Sequence, residues 1–354
     1  MNAQHVGLLC WTTFRSVLGV LGISLVLSMG CVQRSEDAVV IYCATDREAA
    51  SPILDAYERA HAGTEIVRQY DVEASKTLGL VTRIEQESKR PRCDVLWNNE
   101  ILHTLRLQQL GLLSKRRWKI PDNWPKSFRA SDGSWVGFAA RARVLLVNRE
   151  LLKDTKEWPA RVAELGDEKW QGKCGFAYPI YGTTATHMSV LATHPGALGA
   201  KQDWKAWLQS IKSNAITLAG NKQVALAVSS GELAWGLTDT DDAILEVEGG
   251  KNVAIVFPDQ TQDGFGSVLI PNTIAMIQGA PHPISAGELC DFLVSERIES
   301  RLAMSGSAQF PLWPDAKESS RIDTQGVRWA EIDFEAAAKA WESTREMLLE
   351  LFPK

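Results

Sequence analysis

From Ala38 onward the chain alternates short β-branched runs with helical stretches, and it does so in two series. The first reads "AVVIY", "DREAASPILDAYERA", "TEIVRQY", "EASKTLGLVTRIEQES", "CDVLW" and "EILHTLRLQQLGLL", with Thr45 and Glu48 as a capping-box pair at the first helix. The second reads "CGFAYP", "GTTATHMSVLATH", "DWKAWLQSIKS", "GNKQVALAVSSGE", "LAWGLT" and "NVAIVFP". Between and after them lie long strand-like segments at roughly 135–147 and 266–277; the first, "WVGFAARARVLLVN", reads as two consecutive strands. Residues 111–134 are irregular, and helical runs from Ile284 to Met304 and from Asp333 to Leu351 close the chain. Strand–helix alternation predicts sheets with parallel strands covered by helices, and ligands then bind at the carboxyl ends of the strands. Two such blocks joined by two extended crossings predict two lobes, a hinge and a cleft.

The chain has 354 residues, enough for two lobes with real cores. A formal charge of −5 leaves no basic footprint for nucleic acid. Arg15, a short apolar run over 16–29, then Gly30 and Cys31 make an export-signal pattern, with Cys31 as the lipid-attachment residue of a lipoprotein signal; Ser28 stands where leucine is usual in such signals. An ordinary cleaved signal and an uncleaved anchor are the alternatives. Cys43, Cys93, Cys174 and Cys290 sit apart in apolar segments without zinc spacing and read as buried thiols.

Polar residues gather at the predicted strand ends: Thr45 and Asp46, then Asp71 to Lys76 with Ser75, then Trp97, Asn99 and Glu100. Thr183 and Thr184 open one helix and Asn221 another, where free N–H groups attract anions. Arg141 and Arg143 share a face of the first crossing. Asp239, Asp241 and Asp242 follow an apolar strand; a helix start accounts for one or two of these carboxylates, and three exceed what a cap needs. A phosphatase using Asp239 and Asp241 is a distant reading, because that motif belongs on a first strand. A calcium loop fails at Ile244 and Gly250, and "GDEKWQGKC" misses the P-loop spacing.

"VVIYCATDREAASPILDAYER", "CDVLWNNEI", "GFAARARVLLVN", "GNKQVALAVSSGELAWGLTDTDD" and "VLIPNTIAMIQGAPHPISAGELCDFLVSE" together resemble the bacterial ferric-iron-binding periplasmic proteins of ABC importers. The resemblance implies an α/β, two-lobed periplasmic-binding-protein type II fold with two mixed sheets and two hinge crossings. It implies a signal over 1–30, lobe 1 over 31–136 plus about 272–310, lobe 2 over 137–271, and a C-terminal segment 311–354 whose helix packs on the lobes. It further implies a periplasmic, lipid-anchored monomer that serves permease and ATPase subunits and performs no catalysis. The family's paired tyrosines correspond to Asp241 and Asp242, its histidine to Asp46, its acidic ligand to Asn99 or Glu100, and its anion-side arginine to Arg141 and Arg143. Only five tyrosines occur, none adjacent. Carboxylates in place of phenolates suit a hard cation such as calcium, magnesium or manganese, without excluding iron, held by Asp46, Glu100, Asp241 and Asp242; iron itself is what the resemblance implies. They equally suit an organic ammonium or a zwitterion such as an aminophosphonate, with Trp97 or Tyr42 adding a cation–π contact.

Overall fold

The computed structural model describes residues 38–71, 78–194, 196–199 and 203–353. Expectations on the signal, on Cys31 and on Ser75 therefore lie outside the described residues. The first block comprises β1 (Val39–Cys43), α1 (Arg47–Ala60), β2 (Ile66–Tyr70), α2 (Leu78–Gln86), β3 (Val95–Asn98) and α3 (Leu102–Gln109). The long strand β4 (Trp135–Asn148) leads into β5 (Cys174–Ala177), α4 (Gly182–Thr193), α5 (Trp204–Asn214), β6 (Ile216–Leu218), α6 (Asn221–Ser229), β7 (Trp235–Asp239), α7 (Thr240–Glu248) and β8 (Val253–Val256). Then come β9 (Leu269–Met276), α8 (Pro283–Leu293), α9 (Glu296–Met304) and α10 (Phe334–Leu351).

The strands run in the order β2-β1-β3-β9-β4-β7-β5-β6, with β8 also on β4. β1 is parallel to β2 and β3, and β5 is parallel to β6 and β7; the β3–β9, β9–β4, β4–β7 and β4–β8 pairs are antiparallel. One strand serves two sheets. Trp135 to Ala142 of β4 pair with β9, whereas Arg143 to Val147 pair with β7 and Leu145 to Asn148 with β8. The handover falls between Ala142 and Arg143, so the two arginines of the sequence straddle the junction. The second crossing runs beside it: Arg143 N donates to Val268 O at 2.9 Å, just before β9.

The inner strands β1 and β4 each feed two apolar layers because side chains alternate across a sheet. In β1, Val40 and Tyr42 join one cluster, and Val39, Ile41 and Cys43 another. In β4, Leu145 and Val147 face one layer while Val144 and Leu146 face a third. α10 packs on α3 and α4, and buries Phe334, Ala337, Trp341 and Leu348. All four described cysteines are buried free thiols; burial pushes Cys174 and Cys290 up to about 12.

Two local expectations need correction, and one strand was not expected. Thr45 does not cap α1: Asp46 holds the cap position without a side-chain cap bond, and Thr45 Oγ1 reaches Asn272 Oδ1 at 3.5 Å. "WVGFAARARVLLVN" is one strand, with a register shift between Phe138 and Ala140 in place of a break. β6 has no apolar alternation strong enough to read; it is a short, exposed edge strand paired only with β5.

Candidate ligand-binding cleft

The carboxyl ends of β1, β5, β6 and β7 open on one cavity of about 710 Å³. Asp46 and Asn99 line it from the first block, Arg141 from the crossing strand, and Thr183, Thr184, Asn221, Asp239, Asp241 and Asp242 from the second. Helices α4, α6 and α7 begin here, and none has a side-chain cap bond at its N-cap. Their first-turn N–H groups and dipoles favour negative charge.

Beneath the cleft lies a buried ionic node. Arg143 is fully buried, and its Nη1 donates to Asp239 Oδ1 at 2.6 Å and to Asn221 Oδ1 at 3.1 Å. Asp239 Oδ2 accepts from Thr183 Oγ1 at 2.5 Å and from Asn221 Nδ2 at 2.8 Å. Arg143 Nε points to His187 Nδ1 at 3.3 Å, and burial followed by the Arg143 charge holds that imidazole well below its usual range. Arg143 Nη2 is buried without a hydrogen-bond partner. This node ties β4, α4, α6 and β7 together where they meet.

Above it the charges face the cavity. Arg141 Nη1 lies 3.4 Å from Asp241 Oδ2, and its Nη2 donates to Asn272 Oδ1 at 2.9 Å. Burial works against the Arg141 charge, yet Asp241, Asp239, Asp46 and Asp242 together hold the guanidinium above its ordinary value. Among the described residues, carboxylate oxygens of Asp239, Asp241 and Asp242 lie within 4.8 Å of one another, a grouping able to hold a cation. Both Asp239 oxygens already serve buried donors. Asp241 and Asp242 are half-buried and line the cleft wall.

Several residues read as ligands lie elsewhere. Glu100 is fully buried and accepts from Asn98 Nδ2 at 2.9 Å, Leu102 N at 2.5 Å, His103 N at 3.1 Å and Thr186 Oγ1 at 2.7 Å. It caps the start of α3 and links it to α4, and does not line the cavity. Trp97 is fully buried against Phe138, and the Tyr42 hydroxyl donates to Glu87 while Arg83 covers its ring, so neither offers the cleft a cation–π face. Thr45 and Arg143 stand behind the wall. Conversely, Tyr178 and Tyr181, with ring centroids 5.6 Å apart, and Lys222 line the cavity. Their signal was position alone: "AYPIYG" follows a strand just as the other polar strand ends do.

Two sheets sharing a crossing strand, with a polar cleft at their strand ends, define a two-lobed binding protein of the type II class. A family model described as bacterial extracellular solute-binding protein matches residues 105–336, and the chain belongs to that family. Its members are extracytoplasmic receptors that bring a small ligand to an ABC transporter, not enzymes. Iron uptake protein A1 of Synechocystis sp. (strain ATCC 27184 / PCC 6803 / Kazusa) is 27% identical over 307 residues, covering 81% of each chain. A putative 2-aminoethylphosphonate-binding periplasmic protein of Salmonella typhimurium is 26% identical over 159 residues, 45% of this chain and 46% of that protein. The fold superposes on iron-bound HitA from Pseudomonas aeruginosa with a TM-score of 0.77 at 20% identity, covering 89% of this chain and 99% of that one.

Proposed function

We propose that this receptor carries a metal cation together with an anion, and that the cation is iron or another hard ion. The observation that carries the reading is the meeting of Asp241 and Asp242 with Asp46 around one cavity, beside Arg141. Carboxylates from both sides of the cleft suit a hard cation. The uncapped starts of α4 and α6, with Thr183, Thr184 and Asn221, suit the accompanying anion. Likeness to iron uptake protein A1 favours iron. Asp46 would act from a lobe over 31–136 plus about 272–310, Asp241 and Asp242 from one over 137–271, with 311–354 packed on both. Ligand would draw the lobes together, and the closed form would be recognised by the permease and its ATPase. Cys31 would carry the lipid that keeps the receptor at the membrane.

A second reading rests on the partial likeness to the 2-aminoethylphosphonate-binding proteins. An ammonium between Asp241 and Asp242 and a phosphonate on the helix starts would use the same polarity. Native mass spectrometry of the protein purified from its own host separates the two. A mass increment matching a metal with a small anion supports the first reading. An organic, metal-free increment replaces it with the second.

A further inference from the structure

The crossing strand bends at Ala139, a fully buried alanine with φ of +39°, at the register shift of β4. An L-residue keeps that conformation only where its surroundings fix it. Three groups do so. Glu299 of α9 accepts the Ala139 N–H through Oε1 at 2.6 Å. Asn272 of β9 donates its amide to the Ala139 carbonyl. Ala140, next in line, exchanges both backbone hydrogen bonds with Phe310, at 2.8 and 2.7 Å. Phe310 thus forms an isolated β-bridge to the crossing strand, and Ala308, two residues before it, is likewise at positive φ. Glu299 holds this segment as well: Oε2 accepts from Leu312 N at 2.7 Å and Trp313 N at 2.8 Å.

From this node a chain of contacts reaches the cleft. The Ala139 peptide meets Asn272, Asn272 Oδ1 accepts from Arg141, and Arg141 pairs with Asp241. We propose that Glu299 is a positioning residue of the hinge: its ionised carboxylate clasps the bend of β4 to the 308–313 segment, which aims Arg141 into the cleft, and its protonation releases that clasp.

The chemistry follows from the donors. An ionised carboxylate is a pure acceptor and takes all three N–H groups, whereas a carboxylic acid carries a hydrogen on one oxygen, which weakens that oxygen as an acceptor and sets an O–H donor among N–H donors. Burial pushes the Glu299 carboxyl up to about 7 against the pull of the three N–H groups. Glu296, one turn earlier on α9, pushes it the same way. Arg141 on β4 is turned to Asn272 and Asp241, and Lys317 meets Glu296 through its backbone N–H.

The test uses the full chain with no added ligand, so it does not depend on ligand identity. Small-angle scattering is recorded between about pH 5.5 and 8.5. The radius of gyration of the unaltered protein is expected to step with a midpoint near 7. In Glu299→Gln the step is expected to vanish. A flat profile in the unaltered protein overturns the proposal, as does an unchanged step in Glu299→Gln or a variant that only melts earlier. Ala139→Gly, which keeps the carboxylate and relieves the bend, provides the second arm: a step of the same midpoint and smaller amplitude is expected, and an identical amplitude argues against the clasp.

Discussion

Asp239 balances a fully buried guanidinium, and its loss leaves Arg143 charged in the interior without its anion. Breaking one partner out of such a pair costs about 3–5 kcal/mol. Asp239→Asn is therefore expected to lower the melting temperature by roughly ten degrees, checked by scanning calorimetry; an unchanged transition would mean the node is not structural. Such pairing across the fold limits what the sequence reveals. "TDTDD" shows three carboxylates in one place and leaves open whether they cap, bind or react. Their division of labour depends on Arg143 and Arg141, nearly a hundred residues away. Asp46 and Asn99, read from strand ends, Arg141, read from the crossing, and Thr183 and Thr184, read from a helix start, all line the cavity. Strand ends misled at Glu100 and Trp97, because a strand end fixes where a residue sits but not which way it turns. Four donors draw Glu100 inward, and Phe138 packs Trp97.

β7 delivers Asp239 to the node and leads directly into the helix that bears Asp241 and Asp242. Its Gly236 lies flat against α6: a Cβ there would collide with Val224 Cγ1 and stand 3.1 Å from Gly175 O. Overpacking of this kind costs about 1–3 kcal/mol. Gly236→Ala is expected to destabilise the protein by that amount, read from denaturant midpoints, and to weaken ligand uptake by displacing the start of α7. A neutral result would show that α6 yields at no cost. Most elements were legible because long amphipathic helices and buried β-branched strands carry strong periods. β6 was not, being three residues at an edge. The continuity of β4 through Ala139 was hidden too, because the bend is stabilised by Glu299 from a distant helix.

For the whole molecule, export and closure are the two claims. Cys31→Ser is expected to shift the protein from the membrane to the soluble fraction, or to leave it unprocessed, as read by fractionation and N-terminal analysis. A mature N-terminus elsewhere on an already soluble protein would remove the anchor. On the proposed reading, closure ties affinity to charge, because carboxylates on both walls of the cavity would hold a cation together only when the walls approach. The central claim is that Asp241 and Asp242 meet the cargo, and calorimetric titration with ferric citrate tests it on the unaltered protein and on Asp241→Asn and Asp242→Asn. Loss of a charge-assisted contact in a desolvated site costs about 2–5 kcal/mol, roughly thirty- to several-thousand-fold in affinity. That weakening is expected in each variant, with the ligand-free melting temperature unchanged or raised. Full affinity in both, with stability lowered by about 1 kcal/mol as for a lost helix cap, would contradict the account.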